Sequence, residues 1–277
     1  MSERIENITK ELVRVQRSLT IDSVIKWASP VPVFGNIGKA KIATLGLNPS
    51  NLEFVDKDGK ELRNHSRRFQ TLESLGLKDW RDLNLKHVDL IVNDCLNYFQ
   101  KNPYDAWFKK LDYVISGTQK SYYFPSQEVC HLDIVPYATS TKWGNMNQAD
   151  KGVLIKKTSD FLSQILISSD IGFLVLNGQG VINIFEEVFD ITLNKKLDDS
   201  ISLPRTNNRR VAGYIYEGIL NLEIQDKSKK INVFGFNHNI QSSYGISSKI
   251  SKEIRNRFTE NYYKHDKKGR TESTTNI

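Results

Sequence analysis

Four short apolar runs, each broken off by turn-forming or polar residues, constrain this chain more than any other feature. They are Lys41–Leu47 (KIATLGL), Val129–Val135 (VCHLDIV), Phe173–Asn177 (FLVLN) and Ile231–Phe236 (INVFGF). Runs of this length rich in Val, Ile, Leu and Phe read as strands buried on both faces. Long stretches with helical spacing lie between them, among them Ile155–Ile167 and Val181–Phe189. Strands alternating with helices predict an α/β fold, a parallel sheet covered by helices on both faces. No repeat, low-complexity tract or Pro/Ser-rich linker divides the sequence. The expectation is one domain over 1–277, with an N-terminal helical segment over 1–30 and a basic C-terminal helix and tail over 249–277. In such sheets ligands bind beyond the carboxyl ends of the strands, so chemistry is sought just after each run.

Composition narrows the class. With 277 residues, 39% hydrophobic and 26% charged, the chain is an ordinary globular one, long enough to bury a core without a metal or disulfide staple. Its two cysteines, Cys95 and Cys130, are too few for a four-thiolate cluster and read as reduced thiols of a cytoplasmic protein. The N-terminal residues are charged and lack an apolar signal core, and no run approaches a membrane span. The net charge of +7 permits a polyanionic partner. It is concentrated late: between Lys249 and Arg270 eight basic residues face three acidic ones. That helix is either a solvated face or a phosphate-contacting flank.

The strand ends hold the candidate residues. The first run closes on Gly46-Leu47-Asn48-Pro49-Ser50, where glycine permits close approach and Asn48 offers an amide that can both donate and accept. Taken alone, this is also a common turn. The second run ends near Asp133, followed by Pro136-Tyr137. The fourth runs into Phe236-Asn237-His238-Asn239-Ile240-Gln241-Ser242-Ser243-Tyr244-Gly245, a loop dense in donors and acceptors. Two polar segments, Asn51–His65 and Leu193–Arg210, read as long loops that either decorate the surface or shape a substrate site.

Together, a strand-end Gly-Leu-Asn-Pro-Ser, a mid-chain Asp-Ile-Val-Pro and a late histidine loop resemble the uracil-DNA glycosylase superfamily over roughly Pro32 to Ser248. The first motif is similar to the Gly-(Ile/Met)-Asn-Pro-Gly of the mismatch-specific and single-strand-selective branches, with Ser50 in place of the second glycine. The late loop is similar in place to His-Pro-Ser-Pro-Leu-Ser, but reads His-Asn-Ile-Gln-Ser-Ser-Tyr-Gly here. The resemblance implies a three-layer αβα sandwich around a four-stranded parallel sheet. It implies a monomer that binds DNA, needs neither cofactor nor metal, and excises a base after flipping it from the stack. By this likeness Asn48 positions the attacking water and His238, which can stay neutral, donates to the departing base. No lysine takes a motif position, so the product is an abasic site rather than a Schiff base.

The likeness also implies a base pocket. Asp133 stands where uracil-removing members typically carry an asparagine. A carboxylate only accepts, so it suits the amino group of cytosine and repels the O4 of uracil. Excising ordinary cytosine would destroy the host genome, so a modified cytosine is the expected target. Hydroxymethylated or glycosylated bases of the kind found in some phage DNA fit, which would make the activity antiviral defence. Asn177, in Leu-Val-Leu-Asn, is the other reader the sequence offers, and uracil or thymine-mismatch repair the other activity. Leu47, Phe54 and Tyr137 are expected to wall the pocket, Phe54 as the stacking ring with Phe69 and Tyr137 behind it, the alternative being that Phe54 and Phe69 are core contacts under the loop. Tyr244 or Ile246 would fill the gap in the duplex, with Ser242, Ser243, Arg67 and Arg68 on flanking phosphates. A non-catalytic nucleic-acid-binding module of the same fold is a third reading. An unrelated nucleotide-binding α/β protein is a fourth, but no Gly-X-Gly-X-X-Gly or P-loop follows the first run.

Overall fold

The computed structural model describes residues 2–101, 105–205 and 210–273. It is an α/β structure built on a six-stranded, mostly parallel sheet. The four strands expected from the sequence are β1 (Ile42–Gly46), β2 (Val129–Asp133), β3 (Phe173–Asn177) and β8 (Lys227–Phe236). They are neighbours, in the order β2-β1-β3-β8. Every residue of β2 and β3 is buried, as is all of β1 except its half-buried last glycine, so these strands are covered on both faces. β1 and β2 run the same way: the Lys41 amide donates to the Glu128 carbonyl, and six residues on the Val135 amide donates to the Leu47 carbonyl. β3 and β8 are parallel in a register that sets Asn177 beside Phe236.

The sheet has six strands where four were expected. β7 (Tyr214–Ile224) pairs antiparallel with β8 through a hairpin whose turn places Gln225 at φ 52°. That turn, Gln-Asp, carries none of the Asn-Gly or Asp-Gly chemistry that marks hairpins in a sequence. β4 (Asn194–Leu197) adds the edge by pairing antiparallel with β7. All four β4 residues, Asn-Lys-Lys-Leu, are exposed, so the strand has no apolar signal and its lysines blunt a free edge. Thus part of the segment Leu193–Arg210, expected to be loop, is strand; β5 (Leu203–Pro204) and β6 (Arg210–Val211) form a separate small pair. Residues 206–209 of that segment lie outside the described ones.

By its internal contacts the chain divides into two compact units: Met1–Ala40, Leu45–Pro103 and Cys130–Asp170 make the first, and Lys41–Thr44, Tyr104–Val129 and Ile171–Ile277 the second. In the first, α1 (Ser2–Ser18) buries Ile5, Ile8, Leu12 and Val13 on one stripe and ends at Ser18, not near residue 30. Pro30 and Pro32 lack the amide a helix needs, and the turns before them are held by the Gln16 amide, 2.8 Å from the Ala28 carbonyl. α2 (Leu85–Leu96) starts on an Asn84 capping box, and α4 (Gln148–Ser168) on Asn147, whose side chain accepts from the Asp150 amide. The second unit contributes α3 (Asp105–Ile115), α5 (Gln179–Phe189) and α6 (Ser248–Ser273). Both cysteines are buried and free, and burial pushes both thiols well above their usual range, so neither is a nucleophile at neutral pH. No helix among the described residues is long and apolar enough to cross a membrane.

Candidate functional site

In the first unit the carboxyl ends of β1 and β2 gather a cluster of polar groups. Asn48 follows β1, and its amide nitrogen lies 3.0 Å from Thr139 Oγ1 and 3.4 Å from the Tyr137 carbonyl. Those contacts orient the carboxamide and leave Oδ1 as its accepting end. Ser50 has ordinary extended φ and ψ, and its hydroxyl accepts the Leu52 amide to cap the short turn Asn51–Glu53. A second glycine is therefore not required at this position. The sequence departs from the family motif here without straining the backbone.

β2 presents His131 and Asp133 on one face, because side chains two apart on a strand point the same way. Both side chains are only 3% exposed, and His131 Nε2 lies 3.4 Å from Asp133 Oδ1. On β1, Gly46 makes room for them. A methyl group there would sit 2.9 Å from His131 Nε2 and well inside contact distance of Asp133 Oδ1.

Glu53, five residues after Asn48, is the other acid of this cluster. Its two oxygens accept from the Tyr98 hydroxyl at 2.8 and 2.9 Å, and Oε2 also lies 3.3 Å from Arg68. Burial pushes its carboxyl up to about 7, against the pull of Arg68 and Tyr98, and the charge of Asp133 adds to the rise. Sequence reasoning passed over Glu53, Tyr98 and His131. Only His131 carried a signal, its spacing of two from Asp133.

The other expected residues of this unit fall as follows. Phe54 is buried, edge-on to Trp27 at 6.3 Å and 5.6 Å from Phe69, which stacks in turn on Tyr98 at 5.2 Å. It is part of an aromatic core behind the Glu53 turn. Tyr137 is 1% exposed and its hydroxyl donates to the Leu12 carbonyl at 2.7 Å, so its ring is a core contact and its polar end is engaged within the protein. Leu47 is half-buried. Arg68 is held by Glu53 and does not stand as an independent phosphate contact, whereas Arg67 is half-exposed.

The second unit holds the late loop. His238 is 4% exposed and its Nε2 has no hydrogen-bond partner. Burial pushes the imidazole below its usual pKa, the Arg205 charge adds to this, and a backbone hydrogen bond to Ile201 opposes it, so the ring is neutral near pH 7. Asn177 is engaged at both ends: Oδ1 accepts the Ile240 amide at 3.1 Å and Nδ2 donates to Gln241 Oε1 at 2.6 Å. Asn239, where the family pattern has proline, accepts the Gln241 and Ser242 amides at 3.0 and 3.1 Å and so closes the loop. Ser242 is exposed, Ser243 and Ile246 are half-buried, and Tyr244 is 75% exposed beneath the Arg205 guanidinium, 5.5 Å from its ring. On α6, Arg257 is paired with Asp198 at 2.7 Å and Arg255 lies over the Tyr113 ring. The side chains of Lys267, Lys268 and Arg270 lie outside the described residues.

Among the described residues no group of three His, Cys, Asp or Glu could hold a metal ion. The sequence matches no protein-family model and no curated protein.

Proposed function

We propose that this chain is a monofunctional DNA glycosylase of the uracil-DNA glycosylase type that removes a modified cytosine and leaves an abasic site. The observation that carries the reading is the orientation of Asn48. With its nitrogen tied to Thr139 and Tyr137, its Oδ1 is left to accept a hydrogen bond from a water and so to orient it for attack. The Gly-Leu-Asn-Pro-Ser motif that holds it, and the adjacency of the four strands it was read from, support the same family and its sandwich fold.

The choice of base follows from the two reader candidates. Asn177 has both ends of its amide engaged within the second unit. Asp133 is buried, and among the described residues His131 is its one recorded side-chain polar partner, so most of its acceptor capacity is not used by the protein. An acceptor at that position selects the amino edge of cytosine over the O4 edge of uracil. A neutral His238 that gives its Nδ1–H to the Ile201 backbone has only a lone pair at Nε2, so it is not the donor to the departing base that the resemblance implies. In this reading the basic residues of the second unit meet the DNA backbone. The protein acts as a monomer on foreign, modified DNA inside the cell.

The test is a panel of duplex and single-stranded oligonucleotides carrying uracil, a thymine mismatch, hydroxymethylcytosine or glucosylated hydroxymethylcytosine. Alkali-labile strands are expected from a modified cytosine, and Asn48→Ala is expected to abolish them while DNA binding persists. Cleavage from uracil alone would move the chain to repair, and none from any base would make it a binding module.

A further inference from the structure

Asp133 and Glu53 are both buried acids of the first unit, yet they are held in opposite ways. Glu53 is saturated by Tyr98 and Arg68. Asp133 has one side-chain partner among the described residues, His131. An ionised carboxylate has no hydrogen to give, so a hydrogen bond between them must use the Nε2–H of the imidazole.

We propose that His131 is a positioning residue for base recognition: its Nε2–H grips one oxygen of Asp133 so that the other faces the amino edge of the flipped base. The proposal rests on the reading of Asp133 given above. Three observations bear on it. The strand period points both side chains to the same side, with 3.4 Å between the two atoms. Both atoms converge over Gly46, the residue whose missing side chain gives them space. The imidazole is itself fixed, because the His131 backbone exchanges two 2.9 Å hydrogen bonds with Phe34 and the Phe34 ring stands edge-on to it at 5.5 Å.

The arrangement has a consequence for specificity. Besides His131, the charged group that acts on Asp133 from the neighbouring turn is Glu53, backed by Arg68. Removing the imidazole leaves Asp133 without its side-chain donor and still in the field of a second buried acid, Glu53. A carboxylate that has lost this donor is free to turn, and a loosely oriented acceptor distinguishes a donor edge from an acceptor edge less sharply. Loss of His131 therefore weakens the preference for the amino edge of cytosine over the O4 edge of uracil.

The experiment compares His131→Phe with His131→Gln, whose side-chain N–H can replace the lost donor. In His131→Phe the KM for a modified-cytosine duplex should rise about tenfold to a hundredfold with a smaller change in kcat, since a polar site that loses its partner discriminates less well. His131→Gln should restore most of the loss. The carboxyl-carbon resonance of Asp133, read by NMR at one pH in the full-length protein without DNA, should move in His131→Phe and return near its parent position in His131→Gln. An unmoved Asp133 resonance or an unchanged KM overturns the proposal. If the parent protein excises no base at all, the glycosylase reading fails by itself, and the Asp133 resonance still decides whether His131 holds Asp133.

Discussion

The end of β2 and the loop after β8 solve the same problem, holding polar groups away from water, by different means. At β2 the groups answer one another: His131 meets Asp133, and Glu53 meets Tyr98 and Arg68, all on or against rigid elements. In the loop after β8 the bonds run from side chains to the backbone of the loop itself, through Asn177 and Asn239, and the His238 Nε2 is left buried with no partner. The first arrangement fixes a carboxylate in space, as a recognition surface requires. The second fixes the course of a loop while keeping one nitrogen in reserve, at the cost of an unpaired buried group.

Two glycines give the sharpest way to break this comparison. Gly46 is confined by space: its φ is ordinary, but a methyl group would strike the Asp133 carboxylate and lie 2.9 Å from His131 Nε2. Gly245 is confined by φ, at +91°, while its nearest neighbour, the Pro204 carbonyl, would be an ordinary 3.5 Å away. Gly46→Ala should cost about 1–3 kcal/mol as overpacking of a buried site. It should also lower excision on the order of a hundredfold by displacing Asp133. Gly245→Ala should cost about 1 kcal/mol from backbone strain. Urea midpoints and single-turnover rates check both. If Gly46→Ala binds and cuts like the parent, the cluster does not form the site.

The two regions should also respond to pH with opposite signs. Glu53 titrates near 7 in the folded protein against 4.5 when unfolded, chiefly because burial disfavours its charge. Its contribution to stability is fully present below about pH 4.5 and is lost as pH rises toward 7, by roughly 3 kcal/mol. His238 titrates below its unfolded value of 6.5, so its stabilising neutral form is present above that pH and lost as pH falls. Urea unfolding from pH 4.5 to 8 should show the Glu53 decline disappear in Glu53→Gln. It should show the acid-side loss diminish in His238→Asn. A Glu53→Gln profile that keeps the parent slope would assign that slope elsewhere.

How much of this was legible depended on where each signal lay. β1, β2, β3 and the end of β8 announced themselves because strands buried on both faces must be apolar throughout. β4 and β7 did not, since the outer strands of the sheet keep water-facing residues and β4 is exposed along its whole length. Asn48 and Asp133 could be read from their place at strand ends. His131 was hidden inside an apolar run, where a histidine looks like filler, although its spacing from Asp133 was in view. Glu53 could not be read at all. It sits in a polar segment, and what buries it is Tyr98, 45 positions away in the chain. Arg68 looked like a phosphate contact for the same reason, because its partner is distant in sequence.

The smallest expected effect concerns Asn177, and it separates the two readings of that residue. If Asn177 serves the loop, Asn177→Ala removes the acceptor for the buried Ile240 amide and the donor to Gln241. An unpaired buried amide costs about 1–3 kcal/mol, but a loop can relax to meet water, so the lower end applies. Gln241 also holds the Trp107 carbonyl, at 3.3 Å, which limits how far the loop can drift. Hydrogen exchange at the Ile240 amide should therefore accelerate about fivefold to tenfold, the equivalent of roughly 1 kcal/mol, with the global urea midpoint little changed. Base preference should stay with the modified cytosine. A switch in the excised base with Ile240 exchange unaltered would transfer the reading role from Asp133 to Asn177, and with it the case for cytosine.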